Sequence, residues 1–109
     1  MPKGAPGLSE QAYFVLAALL DGPLHGHAIL KRVVDLTDGR ITLPVGTLYG
    51  ALDRLAANGV IEVEQEEVVN GRKRRYFRLT DEGRIMVHAE ARRMQQAASV
   101  VTRRALGAT

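Results

Sequence analysis

From Asp81 to about Leu106 the chain carries one long amphipathic pattern, and that pattern limits what the rest can be. Thr80 stands where an N-cap belongs. Asp81 and Glu82 fill the first turn and Arg103 and Arg104 the last, as the helix dipole favours. Val87, Ala91, Met94, Ala98, Val101 and Ala105 follow at alternating spacings of four and three, a heptad-like seam that Ile85, Ala89, Ala97 and Val100 widen. A helix of about 25 residues is about 38 Å long. A chain of 109 residues is one domain, too small to cover that length. The helix either folds back on its own core or meets a partner. An exposed stripe of Val, Ala and Met favours a partner, so a homodimer is expected.

The preceding residues divide by their punctuation. Residues 1–7, rich in Pro and Gly, read as a flexible tail. Ser9 can cap a first helix, in which Tyr13, Leu16, Ala17 and Leu20 form one apolar stripe ended by Asp21-Gly22-Pro23. A second helix is expected from about His25 to Leu36, with Ile29, Val33 and Leu36 facing inward and Thr37-Asp38-Gly39 ending it. A short extended connector follows, and Pro44 sits in the first turn of a third helix. Val45, Leu48, Leu52 and Leu55 form the apolar face of that helix, and Asn58-Gly59 closes it. Val60 to Val69 reads as a strand with Ile61 and Val63 inward. Asn70-Gly71 is a tight-turn signal, and Lys73 to Leu79 is the returning strand with Phe77 and Leu79 inward.

Three short helices, a hairpin and a long helix outline a mainly α fold with a small β-hairpin: a winged helix-turn-helix over residues 8–80, with a C-terminal dimerisation helix over 81–109. The third helix would read a groove and the hairpin would be the wing. On a helical wheel Gly46, Thr47, Gly50, Arg54 and Ala57 fall opposite the apolar face. Small residues allow close approach to a groove floor, and Thr47, Arg54 and Tyr49 can donate to bases or phosphates. The plain alternative is an ordinary exposed helix face.

Charge is sorted along the chain. Net charge is only +3, yet Arg72, Lys73, Arg74, Arg75 and Arg78 place five cations within seven residues, just after Glu62, Glu64, Glu66 and Glu67. Long cations on a projecting turn can straddle a phosphate backbone and release counterions. Alternatively they neutralise the facing glutamates. Both are expected: inner cations pair, while Arg72 and Lys73 at the tip stay free. A winged helix that docks a protein is a further alternative, although a run of cations makes a poor protein-interface core.

Other chemistry finds little support. There is no cysteine, which excludes disulfides, thiolate metal sites and a cysteine nucleophile. His25 and His27 diverge by about 200 degrees on a helix, the wrong geometry for joint metal ligation, and His88 is alone. No Ser elbow, no paired carboxylates in an apolar setting and no P-loop occur, so neither an enzyme nor a cofactor is expected. The apolar run Val15 to Leu20 is far short of a bilayer span, and the N-terminus lacks a signal design. The expected location is the cytosol, with no membrane partner.

Three motifs in this order carry a resemblance. Leu19-Leu20-Asp21-Gly22-Pro23-Leu24-His25-Gly26-His27 resembles the leucine-leucine, glycine-proline, histidine-glycine-tyrosine signature of PadR-family transcriptional regulators. Gly46-Thr47-Leu48-Tyr49, then Leu52, Arg54-Leu55 and Asn58-Gly59-Val60-Ile61, resembles that family's third helix and entry to the wing. Arg74-Arg75-Tyr76-Phe77-Arg78-Leu79-Thr80-Asp81-Glu82-Gly83 is similar to its wing return. The resemblance spans residues 8–83 and implies a homodimeric DNA-binding repressor on a palindromic operator, similar to the short members with a single C-terminal helix. Carried over by position, it implies Tyr49 on the DNA backbone, Thr47 in the reading helix and the wing residues Arg72, Lys73, Arg74 and Arg75 beside them. Gly50 and Arg54 of the outward helix face and Thr42 of the connector complete the expected DNA contacts. The implied dimer interface is Phe14 with the seam Val87, Ala91, Met94, Ala98, Val101 and Ala105. Some short members bind flat aromatic or cationic drugs at the dimer centre. That implies an alternative main role as a ligand-sensing dimer, with a small hydrophobic or aromatic effector held by Phe14, Met94, Ala97 and Val101. Two departures stand out: His27 replaces the usual tyrosine, and there is no tryptophan to form the aromatic platform of the drug-binding members.

Overall fold

The computed structural model describes residues 8–105; the expected tail at 1–7 and the last residues, 106–109, lie outside it. Helix α1 spans Glu10–Ala18, and Ser9 caps it by accepting from the Ala12 N–H at 3.0 Å. Strand β1 is Leu24–His25, and α2, Gly26–Leu36, follows directly. Helix α3 is Val45–Ala57, and strands β2 (Ile61–Val69) and β3 (Arg72–Leu79) form the hairpin. Helix α4 is Asp81–Ala105. This is a winged helix-turn-helix with a long C-terminal helix.

The sheet has three antiparallel strands in the order β1-β3-β2. The sequence reading missed β1, because two residues are too few to show an alternation. Leu24 pairs with Phe77 and His25 with Tyr76, which ties the start of α2 to the wing. The hairpin turns on Asn70 and Gly71, both at positive φ (53° and 77°), as a tight two-residue turn requires. Val63 opposes Phe77 but Gln65 opposes Tyr76, so Glu64 is an extra residue in a bulge. The bulge exchanges the faces of β2: Ile61 and Val63 share a face with Leu79 and Phe77, whereas beyond it Glu66 and Val68 take that face.

The core gathers Val15, Leu16 and Leu19 of α1, Ile29 and Val33 of α2, Leu48 and Leu52 of α3, and Ile61 and Phe77 of the sheet. Helix α1 lies between α2 and α4, so its deep face is Val15, Leu16, Ala18 and Leu19. The expected stripe of Tyr13, Ala17 and Leu20 is only half-buried beside it.

Three residues expected inward are instead exposed. Leu36 ends α2 past the core, and Thr37 takes the inward place. The Thr37 hydroxyl donates to the Val33 carbonyl at 2.9 Å and accepts from the Ile41 N–H at 3.1 Å. Val45 lies in the first turn of α3, beyond the core, because Pro44 is the N-cap and not the first helical residue. Val63 sits on the edge strand just before the bulge.

Thr80 anchors α4. Its hydroxyl donates to the Gly59 carbonyl at 2.6 Å and accepts from the Gly83 N–H at 3.0 Å. Only the first half of α4 packs, through Gly83, Val87, Glu90 and Ala91. From Arg92 to Arg104 the helix is exposed apart from a half-buried Ser99, and the molecule measures 62 × 33 × 23 Å. Among the described residues no helix is long and apolar enough to cross a membrane.

Candidate nucleic-acid interface

Helix α3 buries Leu48, Leu52 and Leu55, which leaves Gly46, Thr47, Asp53, Arg54 and Ala57 exposed and Gly50 half-exposed. Thr42 is exposed on the connector ahead of it. A β-carbon on Gly46 would meet open space, and one on Gly50 would lie 3.7 Å from Nη1 of Arg54. The guanidinium therefore reaches back along α3 over Gly50. The outward face is smooth, with Thr47 and Arg54 as its main donors.

Tyr49 leaves the flank of α3 and reaches the start of α2. Its hydroxyl and ring occupy the space where a β-carbon on Gly26 would stand. Gly26→Ala is therefore expected to push Tyr49 out of the cleft wall. The cost is about 1–3 kcal/mol of stability, the usual range for overpacking, read by thermal melting. An unchanged melting temperature would contradict the contact.

On the wing, Glu66 opposes Arg75 and Glu67 opposes Arg74. Arg78 pairs with Glu62, and Arg74 approaches Glu67 at 3.9 Å. The expectation that Lys73 stays free is corrected: its Nζ lies 3.7 Å from Glu66, a diagonal neighbour within reach of a long side chain. Arg75, expected to pair, instead lies over Phe77 at 5.2 Å from the ring centre. Arg72 makes no ion pair among the described residues. The Lys73 and Arg74 pairs are exposed and long, so each is worth at most about 1 kcal/mol, and a phosphate can replace the carboxylate at little cost.

A cleft of about 680 Å³ separates the wing from the two helices. One wall is Arg72, Lys73, Arg74 and Arg75 with Val69 and Asn70; the other is His25, Gly26 and His27 of the β1–α2 junction with Val45 and Tyr49 of α3. Four cations therefore line one side of a groove whose other side carries Tyr49. The sequence offers His25 only as half of an unsuitable metal pair, yet it belongs to this wall. Burial lowers its pKa from the ordinary histidine value; Arg74 and His27 push the same way, and Glu67 opposes them. Its position rests on the pairing with Tyr76, which no local pattern announces.

The candidate dimer seam divides. Val87 is 3% exposed and packs into its own protomer's core, which corrects its assignment to a partner-facing surface. Ala91 is half-buried, whereas Met94, Ala98 and Val101 are exposed. Ala105 ends the helix, and its side chain lies outside the described set. Phe14 is half-buried and meets Tyr13 edge to face at 5.2 Å. A second cleft, of about 290 Å³, brings Phe14 and Met94 together with Leu8, Tyr13, Glu90 and Arg93. Ala97 and Val101, the other ligand candidates, do not line it; they lie further along the exposed part of α4. The Glu90 carboxylate is 9% exposed, and Arg93 Nε donates to it at 3.1 Å, which lowers its pKa.

The model of the transcriptional regulator PadR-like family matches residues 15–89, more than half of the chain. The chain belongs to the PadR-like family of transcriptional regulators. A relative, the transcriptional regulator Rv3488 of Mycobacterium tuberculosis, is 32% identical over 87 residues, covering 80% of this chain and 78% of the relative. An uncharacterised 37.1 kDa protein in transposon TN4556 of Streptomyces fradiae is 41% identical over 86 residues, covering 79% of this chain. The match spans only 23% of that protein's length. Among solved structures, a PadR family transcription regulator from Clostridium difficile R20291 superposes with a TM-score of 0.74 at 22% identity, covering 87% of this chain and 97% of that one. Bacillus subtilis PadR, solved in complex with operator DNA, gives 0.66 at 21% identity, covering 74% of this chain and 46% of that one. The two structural likenesses establish the shared PadR fold.

Proposed function

We propose that the chain is a sequence-specific, double-stranded DNA-binding transcriptional repressor that acts in the cytoplasm as a homodimer. Residues 8–80 form the reading unit and α4, Asp81–Ala105, is the dimerisation helix. Helix α3 enters the major groove with Thr47 and Arg54 at base edges, Gly46 and Gly50 allowing the approach. Thr42, Tyr49 and the wing residues Arg72 to Arg75 hold the flanking phosphates. The observation that carries this reading is the cleft whose cationic wall faces Tyr49 beside the exposed face of α3. The operator complex of Bacillus subtilis PadR supports it by analogy of fold. The exposed half of α4 and the half-buried Phe14 are the surfaces for a second copy.

Fluorescence anisotropy on the DNA upstream of the chain's own coding region tests the reading. Binding there is expected to exceed that to random duplex by about a thousandfold or more at physiological salt. Equal affinity for both would overturn it. The second cleft favours one added role, release by a small aromatic or cationic effector between Phe14 and Met94, where the buried Glu90 carboxylate offers a counter-charge. Thermal shift against aromatic amines and phenolic acids reads this directly.

A further inference from the structure

The cationic wall explains a phosphate contact, but the opposite wall holds two imidazoles that the proposed DNA contacts leave unused. His25 and His27 flank Gly26 at the start of α2 and line the same cleft as the wing cations. His25 is held there from two sides: its backbone pairs with Tyr76, and its ring stands edge to face on the Tyr76 ring at 5.4 Å. Tyr76 in turn donates to Glu67 at 2.6 Å, and Glu67 approaches Arg74. The imidazole is thus fixed in that wall of the groove rather than swinging on the surface.

We propose that His25 and His27 are phosphate ligands whose imidazoles take up protons from the solvent when duplex DNA enters the cleft, so that DNA affinity rises as pH falls through the range of histidine titration. The inference rests on the duplex-binding reading above.

The surroundings of His25 set the sign. In the free protein burial above all, then Arg74 on β3 and His27 on α2, disfavour a proton there, and only Glu67 on β2 favours one. The Tyr49 hydroxyl from α3 lines the same cleft. Among the described residues the nearby cations therefore outnumber the one carboxylate. A phosphodiester brings a negative charge into that cationic space and reverses the preference. The complex then holds more protons than the separate molecules, and by linkage its affinity increases toward lower pH. Carboxylates and lysines do not titrate between about pH 6 and 8, whereas histidine does. Phosphate contacts carry no base information, so the effect extends to any duplex.

The test is anisotropy of the full chain on a random duplex of about 30 base pairs, long enough for two half-sites one turn apart. It is run at about pH 6 and about pH 8 at one ionic strength. Binding is expected to be about tenfold or more tighter at the lower pH. His27→Gln should remove part of the gain, and His25→Gln with His27→Gln should abolish it. In the unmodified chain, the Cε1–H resonances of His25 and His27 should titrate at higher pH with DNA than without. His88 on α4 should not move. That spectroscopic arm stands even if the His25 variant fails to fold. Equal affinity at the two pH values, a gain that survives the double variant, or unshifted His25 and His27 would overturn the proposal while leaving DNA binding intact. No duplex binding at either pH would overturn the DNA reading itself.

Discussion

Arg72→Ala with Lys73→Ala is expected to weaken binding to every duplex by about a hundredfold at physiological salt. It should also make the slope of log K against log salt shallower by about 4, since two lost contacts per protomer are four per dimer. The two side chains stand at the hairpin end of the cleft, one without an ion pair among the described residues and one in a long, exposed pair with Glu66. Their loss should leave thermal stability nearly unchanged, because exposed pairs contribute little. Thr47→Ala or Arg54→Ala should act differently: these residues sit on the outward face of α3, so their removal alters which sequence is preferred, by about 1–3 kcal/mol at the positions they read. A wing variant that changed preference, or left the salt slope untouched, would remove the wing from the interface.

Gly83→Ala is expected to lower stability by about 2–4 kcal/mol. In a domain of this size that is a fall in melting temperature of about 10–20 °C. Ordinarily Ala in place of a helical Gly stabilises by about 1 kcal/mol. Here the added β-carbon would stand inside the Val60 carbonyl. That carbonyl cannot yield easily, because it accepts from the Thr80 N–H at 3.1 Å. Relief requires α4 to tilt away, which opens the packing of Leu79 and Val87. Gly46→Ala is the matched control. It adds the same methyl on a helix in open space and should raise the melting temperature slightly. Equal responses from the two variants would show that the close approach of α4 to Val60 has no energetic weight.

Much of the architecture was legible in the sequence because its signals are local. Ser9, Asn70-Gly71 and Thr80 mark element ends through their own backbone and hydroxyl chemistry, and the structure uses all three so. The spacing of Leu48, Leu52 and Leu55 announced the buried face of α3. What was not legible depends on partners distant in the chain. β1 exists because β3 offers Leu24 and His25 an edge. The exposure of Leu36 and Val45 follows from where the core ends, which a helical period does not encode. The bulge at Glu64 shifts register without a glycine to mark it, and Lys73 finds Glu66 only on the diagonal. The same holds at the candidate site. The cation cluster was plain in the sequence, whereas the second wall of the cleft, with His25 fixed against Tyr76, is assembled by tertiary pairing.

Sedimentation velocity of the chain with a labelled duplex from upstream of its coding region tests the central claim most directly. The account expects a dimer at about micromolar concentration without DNA, and with DNA a single faster species containing two protomers per duplex. A lone protomer that leaves the duplex boundary unmoved would contradict it.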